Sequence, residues 1–147
     1  MRKPFMIVLK HKELSDEVIG CFYTVYNTLS FGFLEHVYQN ALVDELRSKG
    51  IKVEVQYPIQ VKYNNKVVGK FYADIIVEGK IILELKATPL LARHELQIFN
   101  YLEATDIEVG YLLSFGKEAK FNRMFFSTER KKKHFARLRN AKSKKSA

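Results

Sequence analysis

The sequence predicts a mixed α/β domain in which two helices precede a three-stranded meander, a third helix and a fourth strand. Apolar residues recur at helical spacing over residues 16–49, and from Ile51 the spacing changes to every second residue. One further helical segment, at about 90–104, separates the meander from the last strand. A helix between strands indicates a crossover within one sheet, so the predicted order is ααβββαβ. At 147 residues the chain is long enough for one core.

The first two predicted elements are amphipathic helices. Ser15 is followed by two acidic residues and is a favourable N-cap, so the first helix is expected over about 16–29. The second is expected from Phe33 to Lys49, and Gly50 then occupies the position of a C′ glycine. Their apolar stripes consist of Val18, Ile19, Phe22, Val25, Tyr26 and Leu29, and of Leu34, Val37, Tyr38, Ala41, Leu42 and Leu46.

The strands follow from alternating residues and turn signals. Pro58 places the first strand at a sheet edge or at a bulge, and Asn64-Asn65 predicts a tight turn because asparagine tolerates positive φ. The second strand is expected over about 66–77 and the third over about 80–87, with a turn at Glu78-Gly79.

The last third of the predicted domain is less regular. Pro89 opens the third helix, and Ile107–Ser114 reads as the fourth strand. Residues 117–127 are ambiguous, with a fifth strand around Met124-Phe-Phe126 as one interpretation.

The net charge of +9 lies entirely at the C-terminal end. Residues 1–129 contain 16 basic and 16 acidic side chains, whereas residues 130–147 contain 9 basic and no acidic ones. We therefore expect one domain over 1–129 and a basic, flexible tail over 130–147. Such a tail can neutralise phosphates without sequence preference, although a simple solubility tail has the same composition.

Composition excludes several classes of protein. Cys21 is the single cysteine, so neither an intramolecular disulfide nor a cysteine metal cluster is expected, which suits a reducing, cytoplasmic compartment. No apolar run approaches the roughly 20 residues of a membrane span. The N-terminal apolar run is interrupted at Lys10 too early for a signal peptide.

The candidate site is a pair of carboxylates and a lysine in an apolar hairpin. Asp74 precedes Glu84 by ten residues, and Lys86 follows two residues later. Isolated charges among β-prone apolar residues are costly, so these groups need partners. A hard divalent cation suits two carboxylates, and a neighbouring lysine can act on a phosphate or on water. The pattern indicates metal-dependent phosphodiester cleavage.

The length of the hairpin loop decides whether these residues share a face. A two-residue turn at Glu78-Gly79 pairs Asp74 with Leu83 and places it opposite Glu84. A three-residue loop, Val77-Glu78-Gly79 with left-handed Gly79, brings all three charged residues to one face. The site hypothesis predicts an odd loop. The alternative is an exposed sheet face with a Glu–Lys ion pair of little energetic value.

Further motifs extend the resemblance beyond this triplet. Gly32-Phe-Leu-Glu35-His-Val-Tyr38 resembles the G-x-x-E-x-x-Y signature of a family within the PD-(D/E)XK nuclease superfamily. Asp74 and Glu84-Leu-Lys86 are similar to the central motif of the superfamily, and Gln97-Ile-Phe-Asn-Tyr101 resembles the Q-x-x-x-Y element in the helix that follows this motif in the G-x-x-E-x-x-Y family. The resemblance covers about residues 13–127. It implies a restriction-endonuclease-like αβββαβ core, here with an additional N-terminal helix.

The resemblance also implies residue roles. Asp74 and Glu84 would bind Mg²⁺ or Mn²⁺ with the backbone carbonyl of Leu85, and Glu35 would approach the same cation directly or through water. Lys86 would orient or activate the attacking water. The remaining residues would position these groups or support them, namely Gln97, Tyr101, Gly32 and Tyr38.

Nucleic acid, most simply DNA, is the expected partner. The candidate phosphate contacts are cationic side chains of the third helix and of the tail, namely Arg93, Lys131, Lys132, Lys133, Arg137 and Arg139. A nucleic-acid-binding module with a nuclease-like fold and no cleavage activity is the main alternative function, and a structural or interaction protein is another. No membrane partner is expected, and a homodimer is left open.

Overall fold

The computed structural model describes residues 9–133 and confirms the mixed α/β prediction. Three helices and five strands follow one another along the chain, and a further helical segment covers residues 128–133. The bounds are α1 Lys12–Leu29, α2 Glu35–Ser48, β1 Val53–Tyr63, β2 Lys66–Val77, β3 Ile81–Lys86, α3 Ala92–Glu103, β4 Val109–Phe115 and β5 Ala119–Phe125.

The strands form one five-stranded sheet in the order β1-β2-β3-β4-β5. The three strands of the meander are antiparallel, β3 and β4 are parallel, and β5 returns antiparallel to β4. Helix α3 is therefore the predicted crossover between two parallel neighbours. Strand β5 resolves the ambiguity over 117–127 in favour of a strand, and Pro58 lies in edge strand β1 as its missing N–H group requires.

Helix α1 begins earlier than predicted. His11 is its N-cap in a left-handed conformation with φ of 55°, and the helix proper starts at Lys12. Ser15 is instead buried inside the helix, where its hydroxyl accepts a hydrogen bond from Arg123 at 3.2 Å. The prediction of Ser15 as N-cap was wrong because this partner, 108 residues away in the chain, leaves no signal near Ser15.

Helix α2 ends as its glycine predicts. Gly50 has φ of 76° and donates to the carbonyl of Arg47 at 2.9 Å, while Ile51 donates to the carbonyl of Leu46 at 3.1 Å. These are the two bonds of a Schellman motif, and they satisfy carbonyls that the helix leaves unpaired.

Both faces of the sheet are covered. The face toward α1 and α2 buries one apolar cluster that includes Phe22, Leu42 and Leu83. A second cluster, which includes Ile82, Ile98 and Met124, lies on the α3 side. The central strand β3 is thus buried on both sides, which explains its nearly continuous apolar sequence. No helix within residues 9–133 is long and apolar enough to cross a membrane.

The predicted domain boundary falls inside a helical segment. Residues 128–133 are helical, and Lys131 is buried with 5% of its surface exposed. Its ammonium donates to the backbone carbonyls of Thr105 and Ile107. The first residues assigned to a flexible tail are therefore held against the loop after α3, whereas residues 134–147 lie outside the described part of the chain.

Candidate active site

The β2–β3 loop has three residues and brings the two carboxylates to one face. Val77 pairs with Ile81, Ile76 with Ile82 and Ile75 with Leu83, so the loop is Glu78-Gly79-Lys80. The loop length agrees with the prediction that placed Asp74 and Glu84 on one face, although the loop lies one residue later than expected. Glu78 and Gly79 are both left-handed, with φ of 53° and 65°.

The side chains of Asp74 and Glu84 replace ladder hydrogen bonds where β2 and β3 separate. The N–H group of Asp74 donates to Oε1 of Glu84 at 3.0 Å. The N–H group of Leu85 donates to Oδ2 of Asp74 at 2.9 Å. Each carboxylate thus accepts a hydrogen bond from the backbone of the other strand, which fixes the orientation of both side chains.

Glu84 is a buried acid beside another acid. Only 2% of its surface is exposed. Burial raises the pKa of Glu84 to about 8, the charge of Asp74 contributes in the same direction, and the N–H bond from Asp74 and the charge of Lys86 oppose the shift. The alternative of an exposed face with a Glu84–Lys86 ion pair is not found, because Glu84 is buried and no ion pair within residues 9–133 involves either side chain.

The positive charge of Lys86 acts on ionisable groups from three elements of the site. Its side chain is half-buried on the last residue of β3. Its positive charge favours the ionised carboxyls of Glu84 and Glu35 by lowering the pKa of each, and it also lowers the pKa of His94. A cation that acts on groups of α2, β3 and α3 lies where these three elements converge.

Glu35 is presented by the first residue of α2. It is exposed, yet partial burial of the carboxyl raises its pKa, Lys86 opposes this shift and Asp74 adds to it. The preceding loop contains Gly32 with φ of 110°, a conformation that side chains rarely adopt. The ring of Tyr38 is buried, and its hydroxyl donates to the carbonyl of Ser30 at 2.6 Å and accepts from the N–H group of Phe33 at 3.2 Å. Gly32 and Tyr38 therefore shape the loop before Glu35.

Helix α3 contributes a bonded pair of side chains. The Gln97 amide donates to the Tyr101 hydroxyl at 2.7 Å, as expected for residues four apart on one helix face. Burial and the charge of Glu84 raise the pKa of Tyr101, the bond from Gln97 opposes this and Asp74 adds a smaller rise. Tyr101 thus lies within electrostatic reach of both carboxylates. His94 has a structural role, because its Nδ1 accepts from the N–H group of Leu91 at the start of α3.

Two glutamines that the sequence analysis did not single out also belong to the site. The amide of Gln56 donates to Oδ1 of Asp74 at 3.4 Å and to Oε1 of Gln39 at 3.0 Å. Gln56 has a left-handed backbone with φ of 49°, which is costly for a residue with a side chain. No sequence signal identified it, since glutamine is not typical of left-handed positions.

The donor set fits a hard divalent cation. All candidate ligands are oxygen atoms, and a buried carboxylate beside a partly buried one, neither with an ion-pair partner among residues 9–133, gains most from such a cation. Asp74, Glu84 and the carbonyl of Leu85 would form the protein part of the shell. Within residues 9–133 no three His, Cys, Asp or Glu side chains converge tightly enough to hold a metal by themselves. Water or substrate oxygens would complete the coordination.

A groove borders the site on the side of the Gly32 loop. It has a volume of ≈ 520 Å³, and it lies beside the segment that follows Lys86. Its walls include exposed Phe31, the turn at Ala87-Thr88-Pro89, Lys117, and the surface ion pair of Lys120 with Glu118 at 3.3 Å. An aromatic ring, two lysines and one glutamate line a groove of this size, which provides room for a ligand next to the carboxylates.

The predicted nucleic-acid contacts are distributed unevenly. Arg93 is exposed in the first turn of α3, and Lys132 and Lys133 are exposed at the end of the described chain. Lys133 forms a surface ion pair with Glu129 at 3.3 Å. Lys131 differs from the expectation, because its buried ammonium is committed to backbone carbonyls and is withdrawn from solvent. Arg137 and Arg139 lie outside the described residues.

Comparison of the sequence with protein-family models identifies the superfamily. The model of the PD-(D/E)XK nuclease superfamily matches residues 12–124. The chain belongs to this superfamily. The matched range contains Glu35, Asp74, Glu84, Lys86 and Gln97, and PD-(D/E)XK nucleases generally use divalent metal ions.

Comparison with other proteins adds support for the fold alone. The search of curated proteins gives no significant match. Among solved structures, a crystal structure of a protein named SSO0001 matches with a TM-score of 0.50 and 23% identity, over 63% of this chain and 50% of that chain. The matched region thus spans half the length of SSO0001.

Proposed function

We propose that the protein is a metal-dependent nuclease that hydrolyses phosphodiester bonds in DNA. The observation that carries this proposal is the pair of buried Glu84 and partly buried Asp74, with Lys86 two residues after Glu84 on β3. A buried carboxylate without an ion-pair partner, beside a second carboxylate, destabilises a fold, and a bound cation would offset this cost. Membership of the PD-(D/E)XK nuclease superfamily supports the same chemistry.

We assign the finer family on three residues. Gly32, Glu35 and Tyr38 supply the G-x-x-E-x-x-Y pattern. In the structure the glycine adopts a positive φ, the tyrosine bonds the loop, and the glutamate begins α2. Each residue type thus has a physical reason to occupy its position, which favours membership of the GxxExxY family.

Mg²⁺ or Mn²⁺ bound by Asp74, Glu84 and the carbonyl of Leu85, with Glu35 directly or through water, would supply positive charge for the scissile phosphate. The ammonium of Lys86 would orient the attacking water and stabilise the charge that develops on the phosphoryl oxygens. Gln97 and Tyr101 would position substrate or water from α3. Attack on phosphorus with cleavage of the P–O3′ bond leaves a 5′-phosphate and a 3′-hydroxyl.

A cleavage assay with matched variants tests the proposal. Supercoiled plasmid and single-stranded DNA are incubated with Mg²⁺ or Mn²⁺ and the wild type, Asp74→Ala, Glu84→Ala or Asp44→Ala. Asp44 is an exposed acid of α2 and controls for the loss of one negative charge. We expect metal-dependent cutting by the wild type and Asp44→Ala, and none by the two site variants.

Calorimetric titration of Mn²⁺ separates the alternatives. Binding to the wild type without cutting of either DNA would favour the nucleic-acid-binding module. Undiminished cutting by Asp74→Ala and Glu84→Ala would remove both residues from the mechanism and overturn the proposal.

A further inference from the structure

The β1–β2 hairpin continues beyond the point where β2 leaves β3. Strand β2 pairs with β3 only from Ile75 to Val77, whereas its pairing with β1 continues to Tyr63 and Lys66 at the tip. Residues 56–73 therefore form a two-stranded extension, which we call the β-ribbon. Asn64 and Asn65 close it with φ of 49° and 61°, which is the predicted tight turn.

The β-ribbon is basic and contains no acidic residue. Its charged side chains are Lys62, Lys66 and Lys70, within a body of residues 1–129 whose basic and acidic side chains are equal in number. All three lysines are exposed. The ion pairs formed within residues 9–133 use other lysines. The ribbon thus presents positive charge to solvent.

The two faces of the β-ribbon have different neighbours. Phe71 lies toward α3, where its ring contacts that of Tyr101 at 5.8 Å between centroids. Residues alternate along a strand, so Lys70 and Tyr72 lie on the opposite face, and the lysine ammonium is 5.5 Å from the centre of the Tyr72 ring. Gln60 of β1 pairs with Lys70, so Lys62, two residues further along β1, lies on this outer face as well. The inner face supports the ribbon, and the outer face combines Lys62 and Lys70 with the Tyr72 ring, which is 47% exposed. Lys66 lies at the tip, next to the turn.

We propose that the β-ribbon binds the phosphate backbone of double-stranded DNA beside the cleavage site. This inference rests on the proposed function, since it names the form of the nucleic acid that the site receives. Two strands about 4.8 Å apart fit a major groove about 12 Å wide. A single strand is typically bound in a groove lined with several stacking rings, whereas the outer face of this ribbon carries one exposed ring, Tyr72.

The position of the β-ribbon limits how far its phosphate contacts can lie from the scissile phosphate. Asp74 follows the ribbon directly, and Lys70 and Lys66 precede Asp74 by four and eight residues. At about 3.3 Å per residue, these lysines lie at most about 13 and 26 Å along the strand. Phosphates of one DNA strand are about 3.4 Å apart along the axis, so contacts reach about four to eight base pairs from the scissile phosphate.

The test compares two triple variants of the full chain with equal net charge. The first is Lys62→Ala/Lys66→Ala/Lys70→Ala, and the second replaces three exposed lysines outside the ribbon, Lys49→Ala/Lys52→Ala/Lys80→Ala. Binding of a 20-base-pair duplex and of a single strand of the same length is measured by fluorescence anisotropy at several salt concentrations, without divalent cations.

We expect only the ribbon variant to lose duplex affinity. Each lost phosphate contact reduces the slope of log affinity against log salt by about 0.9, so three contacts reduce it by about 2.7. Equal losses in both variants would show a general charge effect and overturn the inference. An equal loss of single-strand affinity in the ribbon variant would overturn the assignment to duplex DNA.

Two further readouts separate this inference from its alternatives. If size-exclusion chromatography shows a dimer that only the ribbon variant disrupts, with duplex binding unchanged, then the ribbon binds a second copy of the chain and the inference is wrong. Duplex binding through the ribbon without metal-dependent cutting would support the inference while contradicting the proposed nuclease. Metal-dependent cutting by the wild type, with unchanged duplex affinity in the ribbon variant, would support the proposed nuclease and contradict the inference about the ribbon.

Discussion

The two faces of strand β3 carry opposite kinds of side chain. Toward α1 and α2 the strand buries Ile81, Leu83 and Leu85 in a purely apolar cluster. The other face begins with Ile82 but continues with Glu84, which is equally buried, and ends with half-buried Lys86. A fold gains stability from the first arrangement and loses it in the second. Charged side chains on the second face lower the stability of the fold, and a functional site is expected where such a cost is present.

Replacing Lys86 should have the largest effect on the rate of cleavage, and it should leave the apolar face of β3 unchanged. Lys86→Ala is expected to lower the rate of cleavage by about 10²–10³-fold, because it removes a cation from the charge that develops at phosphorus. Mn²⁺ binding, measured by calorimetry, should persist, since both carboxylates keep their backbone bonds. Lys80→Ala, in the exposed hairpin loop, is the matched control. Full activity of Lys86→Ala would exclude this lysine from the mechanism.

Truncation on the apolar face should affect folding and leave the site intact. Leu83→Ala removes a fully buried side chain and should lower the free energy of unfolding by about 2–5 kcal/mol, measured by urea denaturation. At temperatures where the variant remains folded, its Mn²⁺ affinity should match that of the wild type. A large loss of metal affinity in the folded variant would show that the two faces are coupled.

The pH dependence of stability should distinguish Glu84 from its apolar neighbours. Its pKa is raised from 4.5 to about 8 in the folded protein, so the folded state holds the proton more tightly than the unfolded state. The stabilisation by this proton is fully present below about pH 4.5 and is lost as the pH rises through about 8. Without divalent cations, the melting temperature should therefore fall between pH 5 and pH 9.

The variant Glu84→Gln provides the control for this prediction. It removes the titrating group, so the decrease in melting temperature should become smaller than in the wild type. Identical pH profiles of the two proteins would mean that another group causes the dependence.

Changes at Gln56 should have the smallest effect and separate backbone strain from side-chain contact. Gln56→Gly relieves a left-handed conformation and should stabilise the fold by about 1 kcal/mol relative to Gln56→Ala. Both variants remove the amide that bonds Asp74, so both should lose activity to a similar extent. Equal stability of the two variants, measured by urea denaturation, would show that the position is not strained.

The sequence predicts well what depends on nearby residues. The Asn64-Asn65 turn, the glycine end of α2 and the crossover helix each follow from local residue types, and the structure confirms them. The shared face of Asp74 and Glu84 depended on the odd length of one loop, which glycine at position 79 made favourable.

What the sequence could not predict depends on distant partners. Ser15 has the residue type of an N-cap, but its hydroxyl bonds Arg123 inside the helix. Lys131 belongs to a basic run, but its ammonium caps carbonyls of the loop after α3. The role of Gln56 depends on a backbone conformation that its residue type does not favour. In each case the local pattern is ordinary, and a tertiary contact decides the outcome.

The side chain of Tyr38 connects the apolar core to the loop that precedes Glu35. It stacks on Phe115 of β4 at 4.3 Å between centroids, while its hydroxyl ties together Ser30 and Phe33 of the loop before α2. Thermal motion of that loop is therefore damped by the rigidity of the core. The position of Glu35 therefore depends on the packing of Phe115, which lies 80 residues further along the chain. A smaller side chain at Phe115 would make the site less ordered without removing any of its residues.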